Sequence, residues 1–120
     1  MAVVNITPQK LTRNSLAKMA MTDFTAVNVA DGAAVPMYND SRQLIVFYNS
    51  GSSAVTATVV KGNALQGAGS DLNTVVDPGS FVFALVESGL YGNTSGELRG
   101  KIFVKGSATG LKVAAYHLPE

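Results

Sequence analysis

His117 is the only histidine in this chain of 120 residues, and cysteine is absent. Those two facts bound most of the chemistry open to it. A serine or threonine nucleophile needs a base within hydrogen-bond reach, most often an imidazole. That base would have to be His117, which follows the last apolar segment. No serine stands in a G-x-S-x-G turn that could present a nucleophile. His117 therefore reads as a rim or interface histidine. One histidine without cysteine also excludes ordinary zinc spacing. The eight carboxylates, Asp23, Asp31, Asp40, Asp71, Asp77, Glu87, Glu97 and Glu120, stand singly, with no D-x-D pair. Asp31, Asp40, Asp71 and Asp77 sit beside turn residues, where aspartate holds its own backbone. A loop calcium site built from distant acids, or a glycosidase pair, stays open, because separation in space is not written in sequence.

Phosphate binding needs a strand, glycines and a helix whose N-terminus receives the anion. "GNALQGAGS" (62–70) has the glycines but no Gly-Lys-Ser/Thr and no following helix, so it reads as a flexible loop. "RGKIFVK" (99–105) is the nearest approach to a basic, aromatic nucleic-acid platform. Its plainer reading is a strand with solvated Lys101 and Lys105. No catalytic residue, cofactor site or metal site is assigned, and the expectation is a protein that is not an enzyme. What remains is a set of candidate partner contacts. Lys10, Arg13 and Lys18 cluster before the first acid, Asp23. Tyr38 and Tyr91 are amphipathic rings beside or within loops, and such rings favour interfaces.

The elements that must position these residues are almost all strands. Ala2 to Ile6 reads as a short strand closed by Pro8. Asn14 to Met21 is a short helix candidate, capped by Asn14 or Ser15, with Leu16, Met19 and Ala20 on one face. Residues 1–22 are thus expected to form an N-terminal arm, which docks on a neighbouring chain in the sharper of two readings and is merely solvated in the other. From 23 to 120 the chain reads as one β domain. Phe24 to Val29 is a strand stopped by Asp31-Gly32. Val35 to Tyr38 is an edge piece, since Pro36 cannot donate to a central ladder. Gln43 to Tyr48, "QLIVFY", is continuously apolar and should be buried on both faces. Asn49 to Ser53 then turns the chain into Ala54 to Val60, the second half of a hairpin. There Val55, Ala57 and Val59 face one way and Thr56 and Thr58 the other.

Leu72 to Val76 follows a glycine-rich loop, and Asp77-Pro78-Gly79 signals a type II turn. In Ser80 to Val86, Phe81, Phe83 and Leu85 share one face and Val82, Ala84 and Val86 the other. Ser88 to Arg99 is a second long loop. Lys101 to Lys105 and Leu111 to Tyr116 are expected as a last hairpin across "GSATG", with Ile102, Val104, Leu111, Val113 and Ala115 facing in. Seven or eight strands spaced by turn signals predict an all-β fold, an antiparallel β-sandwich or small β-barrel.

Composition bears on partners. Charged residues make up 14% of the chain, against roughly 25% in an average soluble domain. A neutral surface of small and hydroxyl side chains suits contact with other protein, because few charges need desolvating. A net charge of +1 gathers neither nucleic acid nor an anionic membrane. No apolar run approaches the span of a bilayer, and "MAVVNITPQK" lacks the pattern of a secretory leader. The expectation is a protein made and left in a cytoplasm. The sequons at Asn5, Asn39 and Asn93 are then chance matches.

The layout carries a resemblance. "SRQLIVFYNSGSSAVTATVVKG", then "VDPGSFVFAL", then "KIFVKGSATGLKVAAYHLP" resemble a recurrent kind of small structural protein of tailed bacteriophages, the head decoration or cement proteins. The matching segments are 42–49, 54–60, 76–86 and 112–118, and the likeness covers about residues 23–119. It implies a virion structural protein on the outside of a bacteriophage capsid. It implies the major capsid protein as partner and a homo-oligomer, dimer or trimer, that bridges capsid subunits. It supplies no site residues. The alternative from a different class is a carbohydrate- or receptor-binding module of a tail or fibre, stacking on Tyr38 and Tyr91.

Overall fold

The computed structural model describes residues 3–38, 42–63 and 69–119. Asn39 and Asp40, named above as a sequon and a turn carboxylate, lie outside the described residues, as do Ala2 and Glu120. Ten strands are present among the described residues: β1 (Val4–Asn5), β2 (Gln9–Lys10), β3 (Thr25–Ala26), β4 (Ala33–Pro36), β5 (Gln43–Asn49), β6 (Val55–Val59), β7 (Leu72–Val76), β8 (Phe81–Ala84), β9 (Lys101–Gly106) and β10 (Leu111–His117). A 3-10 turn at Met21–Asp23 and one helical turn, α1 (Ser88–Tyr91), complete the inventory.

One sheet has the order β1-β4-β9-β6-β7, the other β2-β10-β5-β8, with β3 also paired to β10. The two sheets pack as a sandwich and do not close into a barrel. Most pairs are antiparallel, but β1 runs parallel to β4 and β2 parallel to β10, so both sheets are mixed. Alternation explains the core. Val55, Ala57 and Val59 of β6 point inward with Ile102 and Val104 of β9, and meet Ile45, Phe47, Leu111, Val113 and Ala115 of the facing sheet. Each such aliphatic or aromatic side chain taken from water stabilises the fold by about 1.5–3 kcal/mol. As expected, β5 is buried on both faces. Ile45 and Phe47 enter the core between the sheets, while Val46 joins Phe24, Ala114 and Tyr116 in a second cluster on the outer face.

Several expectations are corrected. β5 and β6 are not a hairpin, nor are β9 and β10: each pair lies in different sheets. The turns at 49–53 and 106–110 are corners that carry the chain across the sandwich. They pack on one another, with Ser50 N–H donating to Gly110 O at 2.9 Å. Gly110 has φ +108, and a Cβ there would lie 3.2 Å from Gly51 Cα and from the Asn49 carboxamide oxygen. Asn49 is fully buried and ties the corner together. Its Nδ2 donates to Val76 O at 2.8 Å and Ser53 O at 2.7 Å, and its Oδ1 accepts from Gly51 N–H. The Asp77-Pro78-Gly79 turn forms as read, with Gly79 at φ +75 and Ser80 N–H bonded to Asp77 O.

The helix expected over 14–21 does not form. Eight residues give too few bonds to offset nucleation, and the apolar face finds no core, since Leu16 is 103% exposed. Nor is the whole of 1–22 an arm. β1 joins one sheet and β2 the other, with Ile6 buried at the crossing between them. What projects is the exposed loop 12–20, which opens with a turn closed by Ser15 Oγ on Thr12 O and carries Asn14 at φ +56. The strand expected over Phe24 to Val29 shortens to β3. β4 starts two residues earlier than expected and is flanked by β1 only at Ala33 and Ala34, so from Val35 onward one side of it is a free edge, where Pro36 is tolerated.

Candidate partner-binding surface

β8 is the last strand of its sheet. It pairs with β5 in the register Tyr48↔Phe81, Phe47↔Val82, Val46↔Phe83 and Ile45↔Ala84. Because Val46 and Tyr48 face outward from the sandwich, Phe81 and Phe83 must as well, and Leu85 continues the same side. Val82, Ala84 and Val86 pack on the core. The result is an outward apolar row whose exposure rises along the chain, from 41% at Phe81 through 59% at Phe83 to 67% at Leu85. Phe81 is anchored from below. Its ring stacks on Tyr48 at 4.7 Å, and Phe24 meets both rings edge-on at 6.0 Å. Phe83 is therefore held on the edge strand and Leu85 directly follows its end, with both side chains exposed. An exposed apolar row of this kind is a candidate contact surface.

β7 ends the other sheet on the same side of the sandwich. Between the two free edges lies a cleft of about 330 Å³, floored by Phe47, Ala57 and Val59 and walled by residues 72–74 and 82–86, Phe83 and Leu85 of the outward row included. Its size is at the bottom of the range for small-molecule sites, and its lining is apolar. Along the chain Asp71 directly precedes β7, Glu87 directly follows the lining residue Val86, and Asp77 opens the turn that joins β7 to β8. Asp71 accepts a hydrogen bond from Lys61 N–H at 2.8 Å.

The sequence candidates fall in three places. Arg13 and Lys18 are on the exposed loop 12–20, and Lys10 is on β2 at its root. Tyr38 lies flat on the His117 ring, 3.8 Å away and 5° from parallel, and His117 is in register with Lys10. Tyr91, at the end of α1, packs its ring partly onto the main core. Lys10 and Tyr38 therefore share one corner, whereas Tyr91 is partly buried against the core and precedes the Gly92 bridge to Ile102 of β9. His117 is buried, and among the described residues neither ring nitrogen has a hydrogen-bond partner. Burial, and secondarily the Lys10 charge, push its pKa below the ordinary 6.5.

Sequence reasoning grouped Phe81, Phe83 and Leu85 on one face but gave that face no role. The missing fact was which side of β8 looks out, and that depends on the distant partner strand. Among the described residues no three of His, Asp and Glu gather as a metal centre, and no helix is long and apolar enough to cross a membrane. Comparisons with protein-family models, curated proteins and solved structures found no match to this chain.

Proposed function

We propose that this chain is a virion structural protein that binds the outer surface of a bacteriophage capsid and stabilises the shell by bridging major capsid subunits. The observation that carries the reading is the outward row of Phe81, Phe83 and Leu85 on an edge strand. It offers apolar area to a partner at low entropic cost, since the strand is already ordered and Phe81 is already stacked. The low charge of the chain supports the same reading, because docking strips water from few ions. So does the strand layout resembling that of head decoration proteins. The mechanism is cross-bridging: many weak apolar contacts, repeated over a shell, add by avidity.

The test is co-sedimentation of the purified protein with expanded shells that lack it. The Phe83→Asp, Leu85→Asp double variant should fold normally, as both side chains are exposed, and should fail to pellet with the shells. Shells loaded with the wild type should rupture at a higher temperature than bare ones. Failure of the wild type to pellet, or undiminished pelleting of the variant, would sink the reading.

A further inference from the structure

The cleft between β7 and β8 adjoins the row on the outer face and shares Phe83 and Leu85 with it. Its charge setting is one-sided. Residues 62–98 hold four acids, Asp71, Asp77, Glu87 and Glu97, and no lysine or arginine. Lys61 is the nearest cation along the chain, and the cleft rim of Asp71, Asp77 and Glu87 still exceeds it. The opposite imbalance lies in residues 1–22, with Lys10, Arg13 and Lys18 and no acid. Those cations flank Leu16, the most exposed apolar side chain among the described residues, at 103%.

Position reinforces charge. The 12–20 loop leaves from β2 and returns towards β3, and both of these strands lie along β10 on the side away from β5. The cleft opens beyond β8, at the other edge of that sheet. Donor and acceptor thus occupy opposite edges of one molecule. A face-to-face pairing of two clefts would set Asp71, Asp77 and Glu87 against their own copies. A loop-to-cleft contact sets cations against them instead and buries Leu16.

We propose that the β7–β8 cleft receives the 12–20 loop of a second copy of this chain, with Leu16 in the cleft and Lys18 facing its acidic rim. Copies then join head to tail, and such a contact closes into a ring or runs on as a filament according to its rotation. The cleft shares Phe83 and Leu85 with the surface of the capsid reading, but self-association is read without shells, so either proposal can fail while the other stands.

Sedimentation velocity on purified protein tests it. The wild type should self-associate as concentration rises, and less so in high salt. A loop variant, Leu16→Asp with Lys18→Glu, should be monomeric. A cleft variant, Leu72→Asp with Glu87→Lys, should be monomeric as well. An equimolar mixture of the two variants retains one intact loop and one intact cleft, so it should give a dimer and nothing larger. A monomeric wild type overturns the proposal. So does a loop variant that assembles like the wild type, which is the result a cleft-to-cleft contact gives. A mixture of two folded variants that stays monomeric overturns it too. The Leu16 side chain is wholly exposed, so the loop variant decides the matter even if the cleft variant misfolds.

Discussion

His117 shows what a single buried side chain can do to the stability of the fold. Its ring is stacked on Tyr38, and among the described residues neither nitrogen has a hydrogen-bond partner. With its pKa depressed in the fold, the neutral form is the one that fits. Above pH 6.5 both folded and unfolded chains are neutral there, and the contribution is full. As pH falls below 6.5 the unfolded chain takes the proton first, and stability falls until the folded pKa is reached, by at most about 1.4 kcal/mol per unit. The urea midpoint should therefore drop between about pH 6.5 and 5.5, before carboxylates titrate. His117→Phe, which keeps the stack and removes the proton site, should hold its midpoint level there; an unchanged slope would refute the assignment. Tyr116 acts on the alkaline side. Burial, then the neighbouring Asp23 carboxylate, push its pKa up to about 12. Stability should be full below pH 10 and decline as pH rises from 10 towards 12, and Tyr116→Phe should flatten that decline in the same urea titration. Asn49 is the third such residue. Truncating it to Ala leaves the Val76 and Ser53 carbonyls without their donor, the first of them in a buried bond, at a cost of about 2–3 kcal/mol. Chemical denaturation would read that loss directly.

The elements show why some of this was legible in sequence and some was not. Period-two alternation identified the inward side of β6, β9 and β10 correctly, and an unbroken apolar run identified β5 as covered on both faces. The type II signal at Asp77-Pro78-Gly79 placed a turn to the residue. Partner choice was not legible. Asn49 to Ser53 and Gly106 to Gly110 state that the chain reverses, but the same tight backbone serves a hairpin and a corner between sheets. Only contacts remote in sequence, β4 with β9 and β5 with β10, decide between them. For the same reason the outward row on β8 was visible as a set but not as a surface. In the lead-in, the short strand read over Ala2 to Ile6 is present as β1, but β2 was missed, because a two-residue strand carries no periodicity and is recognised by its partner alone. Two substitutions separate the buried from the projecting part of that lead-in. Ile6→Ala removes a buried core side chain and should cost about 2–5 kcal/mol in an unfolding titration. Leu16→Lys should change stability by no more than about 0.5 kcal/mol. Equal effects at both positions would mean the boundary between sheet and loop is misplaced.

At the scale of the molecule, β10 is the hub of its sheet. It pairs with β2, β3 and β5, and its Leu111, Val113 and Ala115 complete the core. Three strands earlier in the chain, β2, β3 and β5, therefore converge on β10. A fragment ending at residue 110 should lack the dispersed amide spectrum of a folded chain, and a peptide covering 108–120 should restore it when added in trans. A fragment that folds unaided would show that the β5–β8 pair needs no hub. The parallel register of β2 on β10 has a mechanical consequence. Tension applied between the two ends of the chain pulls β2 and β10 in opposite senses along their common axis. Their cross-strand bonds, with Leu11 N–H on His117 O beside them, are then loaded side by side in shear and must give way together. An antiparallel closure would peel open one bond at a time, so a copy held at both ends and stretched meets the load first where its chain begins and ends.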